Sequence, residues 1–204
     1  MPKSRPRLKI IRRFGVQLPG LTRKSADKKP YPPGQHGQSQ TKRRKTSEFR
    51  RLLEEKQKVR FNYGVSEGQI RRYLELARKM PGRTGDNLLA VLERRLDNVV
   101  FRMGFADTRN EARQLVRHGH FTINGKRVNI PSFSVKPGTA VEVAEKSRKM
   151  LRIQEALETV DRRGVPQWIE VDKKAMKGTV KSVPNREDLT MPIQEQLIVE
   201  LYSK

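Results

Sequence analysis

The sequence predicts an α+β fold: a mainly helical domain with an inserted module of two helices packed on a small antiparallel sheet, plus an extended basic N-terminal segment. Three observations predict it. Apolar residues recur at helical spacing over most of residues 47–118, and their spacing changes to two after Gly119. Asn124-Gly125 lies inside the second pattern and is the strongest short hairpin signal. The first 46 residues show neither period.

The N-terminal segment comes first. Several prolines and glycines make the stretch from Tyr31 to Gly37 a turn-rich loop. Because residues 1–46 have no sustained helical or strand pattern, we expect this segment to be poorly ordered on its own in water.

Capping residues mark the next two helices. Ser47 is the expected N-cap of a helix that runs to about Tyr63 and stops at Gly64. Ser66 and Gln69 have the spacing of a capping box, which predicts a second helix that ends at a Pro-Gly pair. Both helices belong to the predicted helical domain.

The module begins with two more predicted helices. Leucine and valine residues recur at helical spacing from Asp86 to Met103, which predicts one continuous helix. Thr108 and Glu111 form another capping box and open a short helix that ends at Gly119.

Strands follow on both sides of the Asn-Gly turn, and two more are predicted around Val135 and at residues 141–143. Residues 148–160 look helical, and the apolar stretch 193–202 is expected to dock on a core. The predicted division is an extended segment of residues 1–46, a helical domain of residues 47–93 and 153–204, and a module of residues 94–152.

The charge of the chain indicates a polyanionic partner. Its 45 Lys and Arg residues against 22 Asp and Glu residues give a net charge of +23. Residues 1–60 carry 19 basic against 4 acidic residues, residues 94–152 carry 13 against 5, and the remaining stretches sum to zero. Such a charge opposes compaction unless a polyanion neutralises it, which favours nucleic acid.

Composition also excludes several classes. A membrane-bound basic helix needs a continuous apolar face, and we find no such helix, no apolar run long enough to span a bilayer and no signal core. We therefore expect a cytoplasmic protein without a membrane partner. The chain has no cysteine, so disulfides, thiolate zinc sites and a cysteine nucleophile are excluded.

An arginine row is the most informative pattern. Arg109, Arg113 and Arg117 recur at four-residue spacing and should therefore share one face of their helix, opposite its apolar residues. Guanidinium groups offer planar, forked donors to successive phosphates. The alternative is an ordinary solvated helix face.

The surroundings of the row favour RNA. Cations flank it on both sides, and few acids are available to pair with them: Arg94, Arg95, Arg102, His118, His120, Lys126 and Arg127. An A-form RNA helix is recognised mainly through its backbone and shape, which requires cations spread over a rigid surface.

A second basic track runs from the N-terminal segment into the first predicted helix. Its members are Lys42, Arg43, Arg44, Lys45, Arg50, Arg51, Lys56, Lys58 and Arg60. The remaining candidates for RNA binding are Arg12, Arg13, His36, Arg71 and Arg72. A nuclear-localisation signal is the competing interpretation of the run from residue 42 to residue 45.

Catalytic and metal chemistry find no support in the sequence. His118 and His120 do not complete a zinc set, because neither cysteine nor convergent carboxylates accompany them. Nucleophile-elbow, P-loop and dinucleotide-binding motifs do not occur, so we expect no enzyme, no cofactor and no small-molecule substrate. Two other hypotheses remain: an RNA-modifying enzyme that uses the same module for targeting, and an architectural DNA binder.

Residues 92–116 and 121–128 resemble the RNA-binding module named after small-subunit ribosomal protein four, which some pseudouridine synthases and tyrosyl-tRNA synthetases share. Four flanking stretches, at residues 33–37, 55–60, 84–89 and 197–204, resemble the bacterial ribosomal protein family itself. The similarity covers nearly the whole chain.

The resemblance implies a ribonucleoprotein component of translation that binds 16S rRNA directly, at a helical junction in the 5′ domain, and nucleates assembly of the small-subunit body. It also implies a place beside small-subunit protein five, at an interface linked to decoding accuracy, and near the channel through which mRNA enters. By position, Lys42 to Lys45 would face that channel. Some relatives carry a zinc-binding cysteine cluster; this chain has no cysteine, so we expect no zinc and a 31–37 loop ordered by packing and RNA.

Overall fold

The computed structural model describes residues 6–22, 24–40, 47–188 and 192–203, without the side chains of residues 40 and 161–163. A helix that the sequence analysis missed begins the described chain: α1, Arg7–Phe14, which ends at Gly15 with a φ of 64°. It forms because Ile10 and Ile11 pack with Leu18 and Leu21 in a small apolar cluster. A single helical turn, α2, follows at Gly37–Gln40.

The helical domain contains α3, Glu48–Tyr63, α4, Glu67–Arg78, and α5, Thr84–Glu93. The predicted caps are confirmed. Ser47 accepts a hydrogen bond from the backbone of Arg50, and Gly64 ends α3 at a φ of 61°. Ser66 and Gln69 form both halves of the capping box.

The continuous helix predicted from Asp86 to Met103 is wrong. α5 stops at Glu93, Arg95 is extended, and a new helix, α6, runs over Leu96–Arg102. The helix breaks there because backbone groups of Arg94 and Leu96 form hydrogen bonds with a loop and not within a helix. Val135 N donates to Arg94 O at 2.8 Å, and Leu96 N donates to Phe133 O at 2.9 Å. The strand predicted around Val135 is this isolated pairing instead.

The module continues with α7, Arg109–Arg117, and an antiparallel hairpin of β1, Phe121–Ile123, and β2, Lys126–Arg127. The predicted hairpin is confirmed, with positive φ angles of 47° at Asn124 and 79° at Gly125. The capping box predicted at α7 is only half formed: Thr108 caps the helix, but the Glu111 carboxylate accepts from Asp107 N, one residue earlier than expected.

The sheet extends beyond the predicted end of the module. β3, Ala140–Val143, pairs with β1 and also with β5, Lys177–Val180, which pairs with β4, Ile169–Asp172. The order is β2-β1-β3-β5-β4, antiparallel throughout. The division expected at residue 152 therefore differs from the structure, because residues 169–180 complete the sheet.

Two larger cores hold these parts together. The first core lies between α6, α7, the sheet and a further helix, α8, Leu151–Arg163, and it contains Phe105, Phe121 and Trp168. In the second, the C-terminal helix α9, Glu195–Leu201, packs on α3 and α5 through Ile198, and Ile193, just before the helix, lies in the same core, which confirms the expected docking of the tail. In the part of the chain that the structure describes, no helix has both the length and the apolar character needed to cross a bilayer.

Candidate nucleic-acid interface

Burial divides the predicted arginine row. Arg117 is exposed, Arg113 is half-buried, and Arg109 is only 4% exposed. The prediction of three exposed guanidinium groups in a row is therefore wrong for Arg109. The reason lies in an acid, Glu93, which is completely buried beneath α7 and draws that guanidinium inward.

Glu93 is the centre of a buried polar cluster, which we call the Glu93 cluster: Asn62, Tyr63, Glu93, Asn98, Arg102 and Arg109. Arg102 donates to both carboxylate oxygens of Glu93, Nε to Oε2 at 3.0 Å and Nη2 to Oε1 at 2.8 Å. The Tyr63 hydroxyl donates to Oε1 at 2.6 Å, and Asn98 donates to Oε2 at 2.5 Å. Helices α3, α5, α6 and α7 all contribute to the cluster, so it joins the helical domain to the module.

Electrostatics in the Glu93 cluster favour the ionised carboxylate. Burial alone would raise the pKa of Glu93, but Arg102, then Arg109 and the Tyr63 hydroxyl, lower it to about 2. The same burial, with the neighbouring carboxylate, raises the pKa of Tyr63 well above its ordinary value. A charged carboxylate between two guanidinium groups is therefore part of the folded structure.

A second buried acid, Asp97, pairs with two more of the predicted RNA-binding residues, Arg95 and Arg113. Asp97 accepts from Arg95 at 3.1 and 2.8 Å and pairs with Arg113 at 3.2 Å. Arg95, only 1% exposed, also donates to the Tyr73 hydroxyl, and Arg113 donates to Gly64 O. The expectation that few acids are available to pair with these cations is wrong for Arg95, Arg102, Arg109 and Arg113.

Several basic side chains of the module lie together where α7 ends. We call them the module surface: the half-buried His120 and the exposed Arg117, His118, Lys126 and Arg127. Arg127 donates to Gly119 O at 3.0 Å and to His118 O at 2.9 Å, which fastens the hairpin to the end of α7. The two histidine rings lie 6.0 Å apart. Burial, then His118 and Arg127, lower the pKa of His120.

The structure brings further cations to this surface that the residue-by-residue prediction missed: Lys146, Arg148, Lys149 and Arg152, all exposed. The imidazole of His120 contacts Ser147 Oγ at 2.8 Å, which places this run beside the module surface. The signal in the sequence was the charge excess of residues 94–152, which includes the run but gives no position on the surface.

The second basic track also contains both cations that are paired with acids and cations that are exposed. Arg50 pairs with Glu54 at 2.8 Å and Lys58 with Glu55 at 2.5 Å, while Lys56 is 9% exposed and pairs with Glu67 at 3.0 Å. These contacts stabilise the helical domain, so Lys56 is not the exposed cation expected. Arg60 is half-buried beside Gln57, while Arg51, Arg71 and Arg72 are exposed. Lys42, Arg43, Arg44 and Lys45 lie outside the described residues.

The four remaining candidates differ in their surroundings. Arg12 orders the proline-rich loop: Nε donates to Lys29 O and Tyr31 O at 3.1 and 3.0 Å, and its guanidinium lies 4.8 Å from the Tyr31 ring centre. Arg13 and His36 are exposed. Arg94 is half-buried and donates to Val135 O at 3.0 Å.

Among the described residues, no group of three His, Cys, Asp or Glu side chains has a geometry that could hold a metal ion. What the site offers instead is a set of fixed cations on a folded surface, which suits a phosphate backbone.

The fold and this surface first define a class, a helical protein that carries an S4 RNA-binding module. The family profile of the ribosomal protein S4/S9 N-terminal domain matches residues 3–93, and the profile of the S4 domain matches residues 94–141. Together they meet at the break between α5 and α6.

Curated relatives give the family. Small ribosomal subunit protein uS4A of Myxococcus xanthus (strain DK1622) is 72% identical over 178 residues, 87% of this chain and 84% of its own length. Small ribosomal subunit protein uS4 of Citrifermentans bemidjiense is 59% identical over 205 residues, 98% of this chain and 97% of its own. The chain belongs to the uS4 family of small ribosomal subunit proteins, which are structural proteins and not enzymes.

Proposed function

We propose that this protein is a structural component of the small ribosomal subunit and binds 16S rRNA directly, through the module surface and the neighbouring cations of residues 146–152. The observation that carries the proposal is the separation of buried from exposed cations. Glu93 and Asp97 pair with the arginines inside the protein, whereas none of the ion pairs in the described chain involves Arg117 or Lys126. Their charge is available for RNA phosphates.

The rigidity of the surface supports recognition of folded RNA. Hydrogen bonds from Arg127 hold the hairpin against the end of α7, and the contact between His120 and Ser147 holds the segment that carries residues 146–152 beside them. Double-helical RNA is recognised by shape and backbone contacts, and cations at fixed spacing match that requirement. Flexible cationic tails would bind any polyanion with similar affinity.

The finer parts of the proposal rest on the family resemblance. The protein binds the 5′ domain at a helical junction and nucleates assembly of the subunit body. It lies beside small-subunit protein five, where it influences decoding accuracy, and its basic run Lys42 to Lys45 lies near the channel through which mRNA enters.

The test is a binding measurement with the purified chain. A 5′-domain fragment of 16S rRNA is titrated between 50 and 200 mM salt, with duplex DNA of equal phosphate content as competitor. The affinity should fall about tenfold or more over this range. Duplex DNA should compete weakly. Equal competition by duplex DNA would favour the architectural DNA binder instead, and hydroxyl-radical footprinting of the fragment would locate the bound junction.

A further inference from the structure

The buried residue Arg109 contacts three separate parts of the chain through its side chain and its backbone. From α7, its Nη1 donates to Asn62 Oδ1 on α3 at 3.0 Å, and its Nε donates to Asn98 Oδ1 on α6. Its backbone N donates to Gly20 O at 3.1 Å, and Gly20 N in turn donates to Asn62 Oδ1 at 3.1 Å. One residue therefore links the N-terminal segment, the helical domain and the module.

The packing around Arg109 fixes its guanidinium in one plane. The ring of Tyr63 lies 4.6 Å from the guanidinium carbon and the ring of Phe101 lies 4.8 Å from it. Nη2 has no hydrogen-bond partner among the described residues and stands 3.6 Å from Glu93 Oε1. An amine on a flexible stem could not reproduce this planar fork, so lysine would be a poor replacement.

Gly20 is required by the same contact. A Cβ on Gly20 would lie 1.8 Å from Arg109 Nη1 and 2.8 Å from its Cδ. The guanidinium could not move aside without breaking its bonds to Asn62 and Asn98. The N-terminal segment thus approaches the module closely only because residue 20 has no side chain.

We infer that Arg109 is a positioning residue for RNA binding: it holds the N-terminal segment, the helical domain and the module surface in one fixed arrangement and does not itself contact RNA. The inference rests on the RNA-binding function proposed above. Cationic surfaces on linked bodies bind RNA together only when their spacing matches that of the RNA, so a loosened joint lowers affinity without removing any contact.

The test compares two arginines on the same helix, Arg109→Met and Arg117→Met. Because the chain has no cysteine, Leu76→Cys on α4 and Leu151→Cys on α8 accept a pair of spin labels; both residues are exposed. Distance distributions between the labels and the affinity for a 5′-domain fragment of 16S rRNA are measured at several salt concentrations, below the melting temperature of each variant.

We expect Arg109→Met to broaden the distance distribution and to lower RNA affinity by about tenfold or more. Arg117→Met should keep the distribution narrow and reduce the slope of log affinity against log salt by about one. A role in stability alone would lower the melting temperature of Arg109→Met and leave both the distribution and the affinity unchanged, which would overturn the inference. A narrow distribution with a slope reduced by one would overturn it too, since Arg109 would then bind a phosphate.

If Arg109→Met does not fold, the test uses Gly20→Ala instead, because the added methyl group displaces the Arg109 guanidinium without changing any charge. The labels are then placed at Asp27→Cys and Leu151→Cys, and a broadened distribution with weaker binding is expected. Unchanged distance and affinity would contradict the inference. If Arg117→Met also leaves affinity unchanged, the failure lies with the proposed function and its surface, which separates the two claims.

Discussion

Arg102 and Glu93 form a two-pronged ion pair, with nitrogen–oxygen distances of 3.0 and 2.8 Å, around a carboxylate that has no exposed surface. Glu93 is the last residue of α5, in the helical domain, and Arg102 is the last residue of α6, in the module. Their ion pair therefore connects the helical domain to the module. The guanidinium of Arg102, which the sequence predicts as part of an RNA-binding surface, is therefore paired with an acid inside the protein.

Replacing Glu93 by Gln should destabilise the protein strongly. The substitution leaves two buried guanidinium groups, of Arg102 and Arg109, without a counter-charge, and removing one member of a buried ion pair costs about 3–5 kcal/mol. Urea denaturation measures the loss in the free energy of unfolding. The matched control is Glu155→Gln on the exposed side of α8, which should change stability by less than about 0.5 kcal/mol. Equal stability of the two variants would contradict the role assigned to Glu93.

Stability should also depend on pH through Glu93. Its pKa is about 2 in the folded protein against an ordinary value of 4.5, because Arg102 and Arg109 outweigh the effect of burial. A lowered pKa contributes stability that is fully present above about pH 4.5 and is lost as the pH falls toward 2. Urea midpoints of the wild type and of Glu93→Gln should therefore converge between these pH values. A constant difference would mean that folding does not lower the pKa of Glu93.

Local signals in the sequence predicted local structure well. The caps at Ser47 and Ser66 and the hairpin at Asn124-Gly125 depend only on residues within a few positions, and the structure has all of them. The break at Arg94 and Arg95 was missed because both helices around it are apolar and buried, so the period continues across it.

Long-range partners explain what the sequence could not show. Helical spacing places Arg109 and Arg117 on one face of α7, but whether that face meets solvent depends on α3 and α5, more than ten residues away. Helix α1 was missed because its apolar residues gain burial from residues outside the helix: Leu18 and Leu21, which follow it in the chain, and the more distant Phe61 on α3. The sequence supplied the charge, and the fold decided which charges are free to bind.

Arg12 should order the proline-rich loop. Replacing it by Met removes the hydrogen bonds to Lys29 O and Tyr31 O and the stacking on the Tyr31 ring, each worth about 1 kcal/mol. Hydrogen exchange of the amides in residues 29–37 should become faster, while the amides of α4 keep their protection. Arg13→Met is the control, because Arg13 carries the same charge as its neighbour Arg12 but is exposed. The same increase in both variants would indicate a charge effect and not the observed contacts.

The most direct measurement compares two charge-matched double variants in RNA binding. Arg117→Gln with Lys126→Gln removes two cations from the module surface, and Lys173→Gln with Lys174→Gln removes two exposed cations from the β4–β5 turn, at the opposite edge of the sheet. We predict that the first pair weakens binding to the 16S 5′-domain fragment and reduces its salt slope by about two, while the second leaves the slope unchanged. Equal slopes for both pairs would contradict the claim that the module surface is where this protein holds its RNA.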